Sequence, residues 1–213
     1  YKKDIYAIIT DTDFSRSWVP LNPKKTKIKY FAPTKRACER LKLYGVPKRN
    51  IYMTGFPLPE ENVGLKYENI KPALGARLIN LDSAGNYMRH YEESVCDLLG
   101  GCLVKKSTRP FTIMFAVGGA GAQREMVGQM LGALKTRLRQ GKMKLILVAG
   151  SRKDVCTHFE KTIKRQGLDR QVGKGIEIIY EADRNDYFRK FNEALMRTDV
   201  LWTKPSELSF YVG

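Results

Sequence analysis

Long hydrophobic runs are missing from this chain of 213 residues: no apolar stretch approaches the ~20 residues that span a bilayer. A membrane-spanning helix is thereby excluded. The N-terminus (Tyr1, Lys2, Lys3, Asp4) lacks the apolar core of a secretory signal, so a cytoplasmic protein is the expectation. Histidine is scarce, with only His90 and His158, each isolated on a predicted helix and read as an ordinary surface or boundary residue. Cys38, Cys96, Cys102 and Cys156 show neither a C-x-x-C pair nor framework spacing. They read as reduced thiols rather than disulfides or zinc ligands, and no metal site is expected. Internal repeats of short period and low-complexity tracts are absent as well. The chain also lacks an initiating Met and stops at "SELSFYVG", where a helix should be starting, which reads as a fragment of a longer protein.

Acidic residues are few beside basic ones, 22 against 38, for a net charge of +16. An anionic partner follows as an expectation. The excess is spread over both halves, but residues 24–49, "KKTKIKYFAPTKRACERLKLYGVPKR", hold ten basic residues and the single acid Glu39. Two readings of this patch stand side by side. Ala37, Leu41 and Tyr44 fall at helical spacing for burial while Lys35, Arg36, Arg40 and Lys42 point elsewhere, which describes a solvated helix face. The other reading is a surface for anionic lipid or nucleic acid.

What is present is a regular alternation of strand and helix. "DIYAIIT" (4–10) and "IKYFAP" (28–33) read as buried strands, "TKRACERLKLYG" (34–45) as a helix closed by Gly45, and "NIYMTG" (50–55) as a third strand. "GFPLPEENVG" breaks the rhythm, and amphipathic helices follow near 62–81 and 86–99. From 111 the alternation resumes with strands 111–117, 144–150, 176–181 and 200–204. Helices fall between them at 122–140, 152–166 and 186–198, and another starts at Ser206. In the first of these, Val127, Leu131, Leu134 and Leu138 mark a buried stripe. The fold class expected is α/β with Rossmann-like parallel sheets. Three regions follow: an incomplete Rossmann-like domain over 1–60, a helical linker or insert over 61–109, and a second Rossmann-like domain over 110–213, cut short.

Ligands of such sheets settle beyond the carboxyl ends of the strands, so the loops there carry the candidate site. After the strand at 111–117 comes "GGAGAQ" (118–123). Gly118, Gly119 and Gly121 let the backbone turn unobstructed, and a helix starting near Ala122 would direct its N–H groups at an anion. The dipole contributes about 0.3–1 kcal/mol to such an anion. Glycines at this corner also serve close packing alone. Two sharper motifs fail, since G-x-G-x-x-G needs Gly where Arg124 stands and the P-loop Gly-Lys-Ser/Thr is missing. The next strand ends add Gly150 and Ser151, then Glu181 and Asp183, then Lys204, Ser206 and Glu207. Pro205, Ser206 and Glu207 also make sense as helix-start chemistry.

These motifs resemble the donor half of the GT-B glycosyltransferase superfamily, in the group of the murein glycosyltransferase MurG and the monogalactosyl- and glucosyl-diacylglycerol synthases. "GGAGAQ" is similar to their diphosphate turn, and "TKPSEL" to the turn that opens their sugar-nucleotide helix. "ITDTDFSRSWVP", "YFAPTKRACERLKLYGVP" and "NIYMTGFPLP" are similar to the end of the acceptor domain, with "TGFPLP" leading into the interdomain linker. The resemblance covers most of the chain outside 62–109. It implies a two-domain architecture and a hexosyltransferase that moves a sugar from a nucleotide diphosphate, UDP above all, to a hydroxyl in the cleft between domains. Neither metal nor cofactor is implied, because main-chain amides and helix ends neutralise the leaving diphosphate. Gly118, Gly119, Gly121, Ala122 and Gln123, with Lys204 and Ser206, would take the phosphates. Gly150, Ser151 and Glu181 would take the base, and Glu207 the ribose or sugar hydroxyls. Asp11 and Asp13 are the candidate general bases, although turn and cap chemistry in "TDTDFS" explains them more readily. Where these relatives carry His between the T-D and the Trp, this chain has Ser15, Arg16 and Ser17, which leaves the acceptor open. A lipid hydroxyl at an anionic membrane surface is one candidate.

Other functions compete. A sugar-nucleotide epimerase or hydrolase shares the fold, and product analysis with and without acceptor separates it. A nucleic-acid binder is permitted by the charge, though no zinc-finger spacing or RNP-like aromatic motif is present. A non-catalytic binding protein would hold the donor without turning it over.

Overall fold

Among the described residues, the alternating apolar and amphipathic segments form seven strands, all paired in parallel, in two sheets. The computed structural model describes residues 3–11, 13–101, 109–117, 121, 123–204 and 207–212. The chain divides into a first unit, Tyr1–Pro59 with Pro205–Tyr211, and a second, Glu60–Lys204.

In the first unit β1 (Ile5–Ile8), β2 (Ile28–Ala32) and β3 (Ile51–Met53) lie in that order, with Ile5 opposite Ile28 and Tyr30 opposite Ile51. Helix α1 (Lys35–Leu43) crosses from β2 to β3. Thr34 caps it by accepting from the Ala37 amide at 3.1 Å, and Gly45, at φ +90°, takes the left-handed conformation that ends it. Ala37, Cys38 and Leu41 bury against Tyr30, Ala32 and Ile9, while Lys35, Arg36 and Lys42 face solvent. Exposure of these three suits both readings of the basic patch, whereas Arg40 is half-buried and pairs with Asp13. The opposite sheet face differs from expectation. Tyr6, Phe31 and Tyr52 stack across the strands with centroids 5.9 and 5.5 Å apart, and Tyr6, Ile8 and Tyr52 are exposed. The run at 4–10 is thus a strand buried on one side only, because α1 lies on the other. From Glu207 the described residues form one 3-10 turn, Glu207–Phe210, and the Phe210 ring stacks on Phe56 at 4.3 Å.

The second unit starts with α2 (Glu60–Val63), α3 (Ile70–Leu81) and α4 (Asn86–Leu99). The single helix expected over 62–81 breaks where Gly64 and Tyr67 adopt positive φ, +78° and +65°, which a helix cannot contain. The sheet follows with β4 (Phe111–Ala116), β5 (Met143–Gly150), β6 (Ile176–Tyr180) and β7 (Val200–Trp202), in the order β6-β5-β4-β7. Helices α5 (Met126–Arg139), α6 (Lys153–Arg165) and α7 (Arg184–Leu195) connect them. Phe115, Leu145 and Leu147 pack with Val127, Leu131 and Leu138 of α5 and Val155, Phe159 and Ile163 of α6 into one core. Leu134 is only partly buried against it.

Helix α3 is fastened to this layer by buried polar groups. The Asp199 carboxylate, with a fully buried side chain, accepts from Arg109 at 2.6 and 2.8 Å, from Asn80 at 2.8 Å and from the Thr112 amide at 2.8 Å. Arg77 of α3 donates to the carbonyls of Thr198, at 2.8 Å, and Leu195, at 3.3 Å. Burial lowers the Arg77 pKa, opposed by the charge of Asp199. No helix of the described residues is long and apolar enough to cross a membrane.

Candidate functional site

The chain runs β4, β5, β6 outward to one side and then returns to place β7 beside β4, with Phe115 opposite Trp202. Numbered within this sheet, the order is 3-2-1-4, that of the first four strands of a Rossmann sheet, and the winding reverses between β4 and β7. All four strands are parallel, so the turns after β4, β5, β6 and β7 share one edge. The glycine-rich turn and the Lys204 segment follow the two strands that flank the reversal.

Several expected residues lie outside the described ones: Gly118, Gly119, Ala122, Ser206 and the side chain of Glu207. Gly121 and Gln123 are described, and both have positive φ, +70° and +68°. Two left-handed residues cannot begin a helix, so α5 starts at Met126 rather than near Ala122. Its first amides are already engaged, Met126 N–H with the Gln123 carbonyl at 3.0 Å and Val127 N–H with that of Arg124 at 3.3 Å. Gly121 is buried, and a Cβ there would come within 3.2 Å of both Arg152 Nη1 and Val155 Cγ2. The absence of a side chain at 121 is therefore what lets Arg152 lie against the turn.

At the end of β5, Gly150 turns the chain at φ +66°, its carbonyl accepts from the Glu181 amide at 3.1 Å, and Ser151 is exposed. The Glu181 carboxylate is paired with Lys190. Lys204 is exposed beyond β7. Next to it, the Thr203 hydroxyl is buried with no hydrogen-bond partner among the described residues. Native structures seldom leave such a group unsatisfied, and this one sits where the winding reverses.

Sequence reasoning missed three charged residues here. Arg124 donates to Asp154 at 2.9 Å, and Arg152 grips the same carboxylate through Nε at 3.1 Å and Nη2 at 2.9 Å. Hydrogen bonding from Arg152, then the two positive charges, hold the Asp154 carboxyl below its usual range, and Asp154 in turn raises Arg152. Arg124 also meets its neighbour Glu125 at 3.2 Å. The available signal was an arginine just after each glycine turn, in "GAQREM" and "GSRKD".

The second unit thus brings Gly121, Gln123, Gly150, Ser151, Glu181 and Lys204 to one sheet edge. Asp11 and Asp13 belong to the first unit, in the segment after β1. Asp13 Oδ1 accepts from the Phe14 amide at 2.9 Å and lies 2.7 Å from Arg40 Nε in an ion pair, and Oδ2 accepts from Arg40 Nη2 at 2.8 Å. Both its oxygens are engaged in turn and ion-pair chemistry. A recess of about 430 Å³ lined by Pro110, Leu138, Gly141, Met143 and Lys174 lies at the other edge, where β4 and β5 begin. The α5 carboxyl end points there, which disfavours an anion. Among the described residues no three His, Cys, Asp or Glu gather as a metal site.

The family described as "Domain of unknown function (DUF6938)" matches residues 102–174, about a third of the chain. No curated protein matches the sequence. Among solved structures, the UDP-GlcNAc 2-epimerase from Neisseria meningitidis bound to UDP-GlcNAc is similar over 82% of this chain, with 14% identity and a TM-score of 0.38. The chain spans 38% of the length of that structure.

Proposed function

We propose that the chain binds a nucleoside diphosphate sugar, UDP-linked above all, and serves a GT-B-type glycosyltransferase that passes the sugar to a hydroxyl. The observation that carries this reading is the placement of the glycine-rich turn and the Lys204 segment on the two adjacent strands at which the winding reverses. The orphaned Thr203 hydroxyl and the arginines at the same edge supply a donor and cations suited to an anionic, hydroxylated ligand.

In this reading the turn amides from Gly118 to Gln123 and the Lys204 to Ser206 segment stabilise the diphosphate as it departs. Gly150, Ser151 and the Glu181 loop receive the base. Glu207 receives the ribose or sugar hydroxyls. Asp11 and Asp13 are the candidate general bases, and Arg40 and the Phe14 amide engage the Asp13 carboxylate. The domain assignment follows: 1–60 on the acceptor side, 61–109 as helical insert and 110–213 as the donor side.

The test is calorimetry and thermal shift with UDP, ADP, GDP and their sugar conjugates, followed by product analysis with and without a hydroxyl acceptor. Selective binding of UDP conjugates and acceptor-dependent release of UDP are expected. Turnover that needs no acceptor would identify an epimerase or hydrolase instead. Binding of nucleic acid with a steep salt dependence, and none of UDP, would overturn the reading.

A further inference from the structure

Resting on that reading, we propose that Arg124 and Arg152 are the cations of the diphosphate site, and that Asp154 is an internal counter-anion whose place the diphosphate takes. The two arginines come from different strand-end turns, after β4 and after β5, yet converge on one carboxylate. Arg152 uses two nitrogens on Asp154, the forked geometry with which guanidinium also grips phosphate oxygens. Its Nη1 lies 3.2 Å from where a Gly121 side chain would begin, so this guanidinium sits directly against the glycine turn.

Charge makes the exchange consistent. Arg124 and Arg152 are matched by Glu125 and Asp154, so the cluster is neutral and the carboxylates compete with any incoming anion. A diphosphate carries at least two negative charges on oxygens that can engage both forks at once. Asp154 offers only one charge. It is the second residue of α6 and lies on the solvent side, its side chain 52% exposed, so it can turn into water when displaced. Arg152 and Asp154 also explain why the turn after β5 carries "SRKD" where a glycine corner alone would suffice for the backbone.

A purely structural role for Asp154, holding the start of α6 through the helix dipole, predicts the opposite response to mutation. Asp154→Asn removes the competing charge and leaves both arginines in place. Repulsion between one carboxylate and a diphosphate at close range in water corresponds to roughly a three- to tenfold change in affinity. The experiment is calorimetric titration of the full chain with UDP and, separately, with inorganic pyrophosphate, comparing wild type with Asp154→Asn, Arg124→Gln and Arg152→Gln. Melting temperatures are recorded for each. Tighter binding of both probes by Asp154→Asn, and at least tenfold weaker binding by each arginine variant, is the expected result. If Asp154→Asn fails to fold, Asp154→Ser gives the same comparison, and the arginine variants decide independently. Wild-type binding of UDP with Asp154→Asn unchanged or weaker, or with both arginine variants within twofold of wild type, overturns this inference and leaves the proposed function standing. Pyrophosphate bound as tightly as UDP, with the expected variant pattern, sustains the counter-anion role and removes the nucleotide reading. Neither probe bound at millimolar concentration overturns both.

Discussion

Replacing Thr203 by Val removes one buried hydroxyl and leaves side-chain volume almost unchanged, so it isolates the orphaned oxygen at the strand reversal. That oxygen has no hydrogen-bond partner among the described residues. Keeping a buried polar group unsatisfied costs about 1–3 kcal/mol, which the variant would recover in part. Taking about 1 kcal/mol as the net gain, a chain of this size should melt roughly 2–4 °C higher. Binding should move the other way. A hydroxyl that meets a phosphate or ribose oxygen contributes about 0.5–1.5 kcal/mol, so UDP affinity should fall roughly three- to tenfold. The assay is paired: urea or thermal unfolding without nucleotide, and calorimetric titration with UDP. Opposite signs, stability up and affinity down, are the signature of a group held ready for a ligand. A less stable variant with unaltered affinity would refute the reasoning, since it would show that the hydroxyl supports the fold.

Four further outcomes follow from the same geometry. Asp199→Ala leaves the Arg109 and Arg77 cations without their buried carboxylate and should destabilise the second unit by about 3–5 kcal/mol, read as a lower urea midpoint at unchanged slope. Gly121→Ala meets both a left-handed backbone and a contact with Arg152, costing about 1–2 kcal/mol from the backbone alone, and should weaken UDP binding. Gly141→Ala, with φ +68° but open space around it, should show the backbone cost with UDP affinity intact. For pH, hydrogen bonding from Arg197, opposed by partial burial, lowers the Glu177 carboxyl below 4.5 in the folded chain. Its stabilisation is therefore full above that value and is lost as pH falls through the lowered one. Glu177→Gln should flatten this acid limb of the stability curve, by an amount that shrinks at high salt because the pair is 40% exposed on each side.

The strands of the second unit were legible because parallel strands covered on both faces must read as unbroken apolar runs, as "KLILVAG" does. The same rule misled at 4–10, where the apolar run became a strand with Tyr6 and Ile8 exposed. Helix boundaries failed where single residues adopt positive φ without being glycine, at Tyr67 and Gln123, since nothing in their side chains requires it. Composition alone did not point to the Asp199 network, whose members stand 87 to 121 positions apart and meet only after the sheet has formed.

The glycine turn was visible in advance because glycine is the residue that a left-handed corner selects, as at Gly121 and Gly150. The arginines beside it were not, because an exposed Arg has no preferred partner until folding supplies Asp154. The winding order was equally hidden. Strands alternating with helices are compatible with any order, and only the return of β7 to the side of β4 creates a reversal, the feature at which doubly wound sheets in general take their ligands. β7 is three residues long and pairs through Val200, Leu201 and Trp202 alone. A short strand suffices because Asp199, immediately before it, is anchored to Arg109 and to the Thr112 amide at the start of β4. That anchor sits at the opposite end of the strands from the candidate site. It fixes the pairing of β7 with β4, and so sets Thr203 and Lys204 at the end of the strand next to β4, without occupying the candidate edge.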